Sequence, residues 1–250
     1  MTQKVALVTG AAAGIGAEIC RQFADEGMAV GVLDLKLDAA QSVVDEITAK
    51  GGKALALAAD VSDRGQVEAA VARLREEFGP ITVLVNNAGI SAWVPFEEID
   101  DAAWDLMMAI NLRGPFIVTQ TVLPDMKEAK WGRIINISSS SAQTGARWMA
   151  HYSASKGGVV AMTKTLAHEL SPLGITVNNI PPASVAGTVM YEETKHLMPM
   201  TPEEAAAMMP VRRLGEPADI ANAAVWLASE KTGYVTGQTI GVNGGRVICG

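Results

Sequence analysis

Short runs of aliphatic and β-branched residues recur along the chain at 5–8, 29–33, 54–58, 83–85, 134–137, 175–180 and 239–242. Most are apolar at successive positions, not alternate ones, which is the pattern of strands buried on both faces. Between them lie longer stretches with apolar residues at helical spacing, at 15–26, 39–50, 67–78, 104–126, 153–170 and 217–227. The alternation predicts a doubly wound α/β fold, a seven-stranded parallel sheet with helices on both faces. Glycines placed to end helices support the divisions, at Gly27, Gly51, Gly79 and Gly174. No linker or repeat interrupts the series, so residues 1–250 are expected to form one domain. The least regular part, 181–209, holds four prolines and five methionines and is expected to be a mobile excursion, a lid.

Composition narrows the classes. With 49% hydrophobic and 19% charged residues the chain can bury a core and is not of the disordered type. Its net charge is −7, and its longest basic run is the pair Arg212-Arg213, so neither nucleic acid nor an anionic membrane is an expected partner. Two cysteines, Cys20 and Cys249, suit a reducing compartment, and the six-residue apolar stretch near the N-terminus is too short for a signal peptide. A cytoplasmic protein is expected. His151, His168 and His196 lack metal-ligand spacing, so no metal site is expected.

Two places carry candidate chemistry. After the first strand comes Thr9-Gly10-Ala11-Ala12-Ala13-Gly14-Ile15-Gly16, where small residues and a helix N-terminus could receive a pyrophosphate. The spacing is neither G-x-G-x-x-G nor that of a phosphate loop with lysine, and a tight turn alone would use the same glycines. Asp34 ends the second strand, placed to accept from a ribose diol and to repel a 2′-phosphate, which predicts NAD over NADP. Capping of the next helix is its other reading, and Lys36 is the nearby cation. Farther on, Tyr152 and Lys156 stand four apart and share a helix face. Lowering a phenol by about three pKa units takes roughly 4 kcal/mol, and a nearby ammonium has the right sign to contribute. A surface tyrosine beside a solvated lysine is the alternative. Ser138, Ser139, Ser140 and Ser141 follow the fifth strand at the sheet's carboxyl edge, where a hydroxyl could polarise a carbonyl.

These motifs, with Asn86-Asn87-Ala88-Gly89, Asn111, and Ser139 thirteen residues before Tyr152, resemble the short-chain dehydrogenase/reductase family over essentially the whole chain. The resemblance implies a Rossmann fold and an NAD-dependent oxidoreductase that interconverts a secondary alcohol and a ketone. It implies Tyr152 as general acid/base, Ser139 as donor to the substrate oxygen, and Lys156 as the residue that binds the nicotinamide ribose and lowers the tyrosine pKa. Asn111 would hold a water in a relay from Lys156. Gly10, Gly14, Ile15, Gly16, Asp34 and Leu35 would bind the cofactor, the glycine turn at the pyrophosphate and Asp34 at the ribose diol, with Asp60 and Val61 at the adenine. Asn87, Ala88 and Gly89 would line the nicotinamide side. The chain departs from the family after the sixth strand, where Ala183 follows Pro182 and Gly187 stands at the usual threonine position. Thr188 or the backbone of Val185 would then serve.

The substrate side would include Trp93, Ser141, Gln143, Trp148 and Met190, with Ser91, Val94, Met149, Leu197 and Met198 near them. Tryptophans and methionines give an apolar, adaptable wall, so a hydrophobic or cyclic substrate is expected, although such residues also make plain core. Two alternatives stay open: an NADPH-dependent 3-oxoacyl thioester reductase, against which Asp34 and the negative charge argue, and a non-catalytic dinucleotide-sensing regulator. The resemblance also implies a homotetramer.

Overall fold

The computed structural model describes residues 3–197 and 201–248. Met198 and Cys249, named above, lie outside them, as do Pro199 and Met200 of the 181–209 stretch. Six strands form one sheet: β1 (Val5–Thr9), β2 (Ala29–Asp34), β3 (Lys53–Ala58), β4 (Ile81–Asn86), β5 (Gly132–Ile137) and β6 (Ile175–Ile180). All pairs are parallel and the order is β3-β2-β1-β4-β5-β6. β1, β5 and β6 are buried along their whole length, although β5 and β6 carry buried polar side chains such as Arg133, Asn136, Asn178 and Asn179.

Helices cover both faces. On one, α1 (Gly14–Asp25) and α2 (Leu37–Ala49) pack through Ile19, Phe23 and Val43 against Val8, Val30 and Val85. The other carries α3 (Arg64–Phe78), and its Val67 and Leu74 join Leu7, Leu84 and Ile134. The stretch expected as one helix at 104–126 is three pieces: α4 (Asp101–Met108), a π-helical turn (Ala109–Arg113) and α5 (Gly114–Ala129). Asp100 caps α4 by accepting from the Ala103 N–H, which accounts for part of the acidic cluster before it. A single turn, α6 (Ser141–Thr144), leads to α7 (Ala150–Leu170), and α10 (Pro217–Ala228) returns to pack on α1.

Two expectations need correction. The segment 239–242 is not a seventh strand: it meets β6 at the isolated bridge of Asn179 with Thr239. Asn179 donates to Gln238 and accepts from Ile240, but the segment lies between left-handed glycines at 237, 244 and 245, so the ladder stops after one pairing. The stretch 181–209 is also more regular than expected. It contains α8 (Val189–Thr194) and α9 (Pro202–Met208), capped by the hydroxyls of Thr188 and Thr201, with Glu204 completing a capping box at α9.

Candidate active site

The sheet order reverses between β1 and β4, and an open parallel sheet binds ligands in the crevice at such a point. The turn after β1 and the turn after β4 are interlocked there. The Asn87 side-chain amide donates to the carbonyls of Thr9 and Gly10 at 3.0 and 2.9 Å. The Thr9 hydroxyl in return accepts from the N–H groups of Asn87 and Ala88, both at 3.0 Å. A Cβ on Gly10 would stand 2.7 Å from the Ala88 Cα, and one on Gly16 would stand 2.3 Å from the Gly10 carbonyl oxygen. Gly10 and Gly16 are therefore packing requirements of this junction. Thr9, buried and bonded also to the Val85 carbonyl at 3.4 Å, opens the glycine motif, but the sequence alone assigned its hydroxyl no role.

The junction fits a dinucleotide. Helix α1 starts beside it at Gly14, with Ala13 as its N-cap and no side-chain oxygen on the first-turn N–H groups, which leaves them for an anion. Ile15 turns back into the core. Asp34 at the end of β2 accepts from the Ala12 N–H at 3.0 Å and from the Lys36 N–H at 3.3 Å. Its carboxylate thus braces the glycine turn and does not cap α2, whose N-cap is Lys36 with no side-chain bond. Leu35 beside it is exposed. The Asp60 carboxylate is bonded by the N–H and hydroxyl of Ser62 at 2.8 and 2.7 Å, and Val61 is buried against Gly114. On the far side, Pro182 is buried and its carbonyl accepts from Ser140, while Val185 pairs with Gly215. Thr188 packs its methyl against Gly14, and its hydroxyl bonds the Val185 carbonyl and the Tyr191 N–H. Gly187 has φ +74° and open space around it, so its backbone conformation, not crowding, favours glycine there.

Across the crevice, α7 carries Tyr152 and Lys156, both buried. Lys156 Nζ donates to the Ile137 carbonyl at 3.0 Å and lies 6.0 Å from the centroid of the Tyr152 ring. Burial pulls this ammonium down to about 8. Burial pushes the Tyr152 phenol up, and the Ser139 side chain opposes it. Removal from water is the larger of the two effects on the phenol. The Ser139 hydroxyl also accepts from the Ser141 hydroxyl at 2.9 Å and the Ser141 N–H at 3.2 Å. With its acceptor sites used in this way, Ser139 is oriented to donate.

Asn111 lies buried in the π-helical turn, a local distortion that recurs at functional sites. Its amide donates to the Ile90 carbonyl at 2.9 Å and the Ser155 hydroxyl at 3.2 Å, and its oxygen accepts from the Ile90 N–H. It therefore pins the loop after β4 to α7. A Cβ on Gly89 would stand 3.1 Å from the Asn111 oxygen and 3.2 Å from Lys156 Nζ, so glycine keeps that gap open. Ser155, three residues after Tyr152 and fully buried, is a member of this set that the sequence reading missed. Trp93 is partly buried against Met107, Met149 and Tyr152, whereas Trp148 is exposed. Gln143, on the α6 turn packed against α7, has a buried carbonyl oxygen without a partner among the described residues. Met190 is half-buried on α8.

A phenol, a serine hydroxyl and an ammonium brought to the carboxyl edge of the sheet, beside a dinucleotide-shaped turn, can exchange a proton with an oxygen held between Ser139 and Tyr152. The comparisons agree with this chemistry. The family model for short chain dehydrogenases matches residues 4–198. Nodulation protein G of Azospirillum brasilense is 42% identical over 246 residues, covering 98% of this chain and 98% of that protein. The 3-oxoacyl-acyl-carrier-protein reductase of Staphylococcus epidermidis is 41% identical over 247 residues, covering 98% and 99%. The hydroxy(phenyl)methylsuccinyl-CoA dehydrogenase subunit BbsD of Thauera aromatica is 40% identical over 245 residues, covering 98% and 97%. The chain belongs to the short-chain dehydrogenase/reductase family, whose members are NAD(P)-dependent oxidoreductases acting on CH–OH groups.

Proposed function

We propose that the protein is an NAD-dependent dehydrogenase that interconverts a secondary alcohol and a ketone on a hydrophobic or cyclic substrate. The observation that carries this reading is the buried pair Tyr152 and Lys156 on one face of α7, with the Lys156 ammonium 6.0 Å from the Tyr152 ring and bonded to the Ile137 carbonyl at the end of β5, just before Ser139. Bound NAD(H) supplies the hydride acceptor or donor. In the oxidation direction Ser139 donates a hydrogen bond to the substrate oxygen and Tyr152, as the phenolate, receives the hydroxyl proton as the carbonyl forms; in reduction Tyr152, as the neutral phenol, gives its proton to the oxygen. Lys156 sets the electrostatics behind the phenol and stands ready to bond the nicotinamide ribose. Asn111 keeps Ile90 and Gly89 in register with α7 and offers its oxygen side to a water near Lys156. On the cofactor side Gly10, Gly14, Ile15, Gly16, Asp34, Leu35, Asp60, Val61, Asn87, Ala88, Gly89, Pro182, Val185 and Thr188 form the contact set.

Asp34 supports NAD because a carboxylate at the end of β2 accepts from a ribose diol and repels a 2′-phosphate. The partly buried Trp93, with Met149 and Met107 at the phenol, supports an apolar substrate. A second reading, a 3-oxoacyl thioester reductase, is favoured by the 41% identity to the staphylococcal reductase. A homotetramer in the cytoplasm completes the proposal, and light scattering tests the assembly. The deciding experiment measures turnover of cyclic and linear secondary alcohols and ketones, and of acetoacetyl-CoA, with NAD(H) and NADP(H), in the wild type and in Asp34→Ala. The expected result is faster reaction of ring substrates with NAD(H), and a preference over NADP(H) that drops about tenfold in Asp34→Ala. Faster reduction of acetoacetyl-CoA with NADPH would establish the second reading instead.

A further inference from the structure

One residue just before the catalytic helix holds an unusual backbone conformation. Trp148 has φ +63°, in the left-handed region that a bulky side chain enters only at a cost. Its carbonyl accepts from the Val94 N–H at 2.7 Å, joining the loop before α7 to the loop after β4. On either side of the outward turn, Ala146 and Met149 pack with Trp93 around Tyr152. Between them Arg147 and Trp148 face outward, the guanidinium carbon 4.2 Å from the indole centroid and the indole 43% exposed. Among the described residues Arg147 forms no ion pair and donates no hydrogen bond, whereas Arg75 and Arg213 engage Asp125 and Asp219. A guanidinium stacked on an aromatic face keeps its edge N–H groups free for a planar or tetrahedral anion.

We propose that Arg147 and Trp148 are a specificity pair at the mouth of the site: the indole covers a ring of the substrate, and the guanidinium takes an anionic group, carboxylate or phosphate, carried beyond that ring. This deepens, and rests on, the alcohol/ketone reading of the Tyr152 site. The Val94 bond fixes the Trp148 backbone in its positive-φ conformation, and the stack keeps the indole and the neighbouring cation together.

The test reads binding, so it does not depend on turnover. Calorimetry compares cyclohexanecarboxylate, cyclohexanecarboxamide and cyclohexanecarbonyl-CoA as ligands of the protein with NADH, in the wild type, Arg147→Gln and Arg147→Lys. At least one anionic ligand should bind the wild type ten times more tightly than the amide. Arg147→Gln should remove that advantage and leave the amide affinity within twofold; Arg147→Lys should keep part of it. Loss confined to the carboxylate identifies a carboxylate substrate, and loss confined to the thioester identifies phosphate recognition. A wild type that does not discriminate, or an unchanged ratio in Arg147→Gln, overturns the proposal. Absence of turnover on any ring alcohol, with the Arg147-dependent binding intact, would instead count against the dehydrogenase reading.

Discussion

The two walls of the crevice are built differently. On the cofactor side, backbone atoms do the fitting: Asn87 bonds two carbonyls of the first turn, Thr9 bonds two amides of the second, and the Gly16 and Gly10 positions are closed to a Cβ. On the substrate side the shape comes from side chains, with Trp148 at positive φ and the carbonyl oxygen of Gln143 buried without a partner among the described residues. A backbone-built wall has little room to vary and suits a ligand that does not change. A wall shaped by side chains can be retuned to a particular substrate by substitution.

Tyr152 stands where the walls meet, and its replacement gives the largest expected effect. Tyr152→Phe keeps the ring that packs with Met107 and Met149 but removes the proton carrier. Turnover should drop about a thousandfold, with the Kd for NADH within threefold of wild type. A loss smaller than tenfold would show that proton exchange does not depend on this phenol.

Lys156 probes the same junction through stability. Its ordinary value of 10.5 is lowered to about 8 by burial, so between those values the folded protein binds fewer protons than the unfolded chain. Stability therefore rises with pH across that window, by roughly 3 kcal/mol if the full shift is expressed. Lys156→Met lacks this rise and should melt higher than wild type at pH 7, less about 1 kcal/mol for the lost bond to Ile137. The two stability curves should converge towards pH 10. Parallel curves would mean that the ammonium is better solvated than its burial implies.

The contrast between the walls also explains how much was legible in the sequence. The six central strands, the glycine turn and the spacing from Ser139 to Tyr152 and Lys156 could be read, because apolar runs and small residues record local requirements of the backbone. The 239–242 run was misread as a strand: its apolar residues did predict proximity to β6, but the positive-φ glycines that cut the ladder short depend on the folded context. The π-helical turn around Asn111 was invisible inside an unbroken helical pattern, and so was the bond from Asn111 to Ser155, which depends on tertiary packing. Trp148 gave no local sign of its backbone conformation, since nothing in a tryptophan requests positive φ.

Two glycines sharpen the comparison. Gly16→Ala would force a Cβ against the Gly10 oxygen and the Asn87 amide, at 2.3 and 2.6 Å, so the interlock must open. NADH binding should weaken by about tenfold, since one lost kcal/mol-scale contact in this range is worth that factor. Gly187→Ala meets open space and carries only the left-handed strain of roughly 1 kcal/mol. Its NADH affinity should stay within twofold, although its melting temperature falls. Equal losses of affinity in the two variants would remove the distinction between a glycine that a contact demands and one that only a dihedral angle demands.

The smallest effect is expected at the other wall. Trp148→Gly relieves the positive-φ strain but loosens the unfolded chain, so the two contributions to stability oppose each other and the melting temperature should change by no more than a few degrees. The exposed indole leaves with it. The KM for ring ketones should rise about threefold with kcat unchanged, while short linear ketones, too small to reach the indole, should show no change. Trp148→Phe separates the contributions: it retains the strain and much of the aromatic surface, so its KM should stay near wild type while its stability gains nothing. If the glycine variant instead lost kcat on every substrate, the role of Trp148 would be to brace Val94 and the loop after β4, and the substrate wall would share the backbone-built character of the cofactor wall.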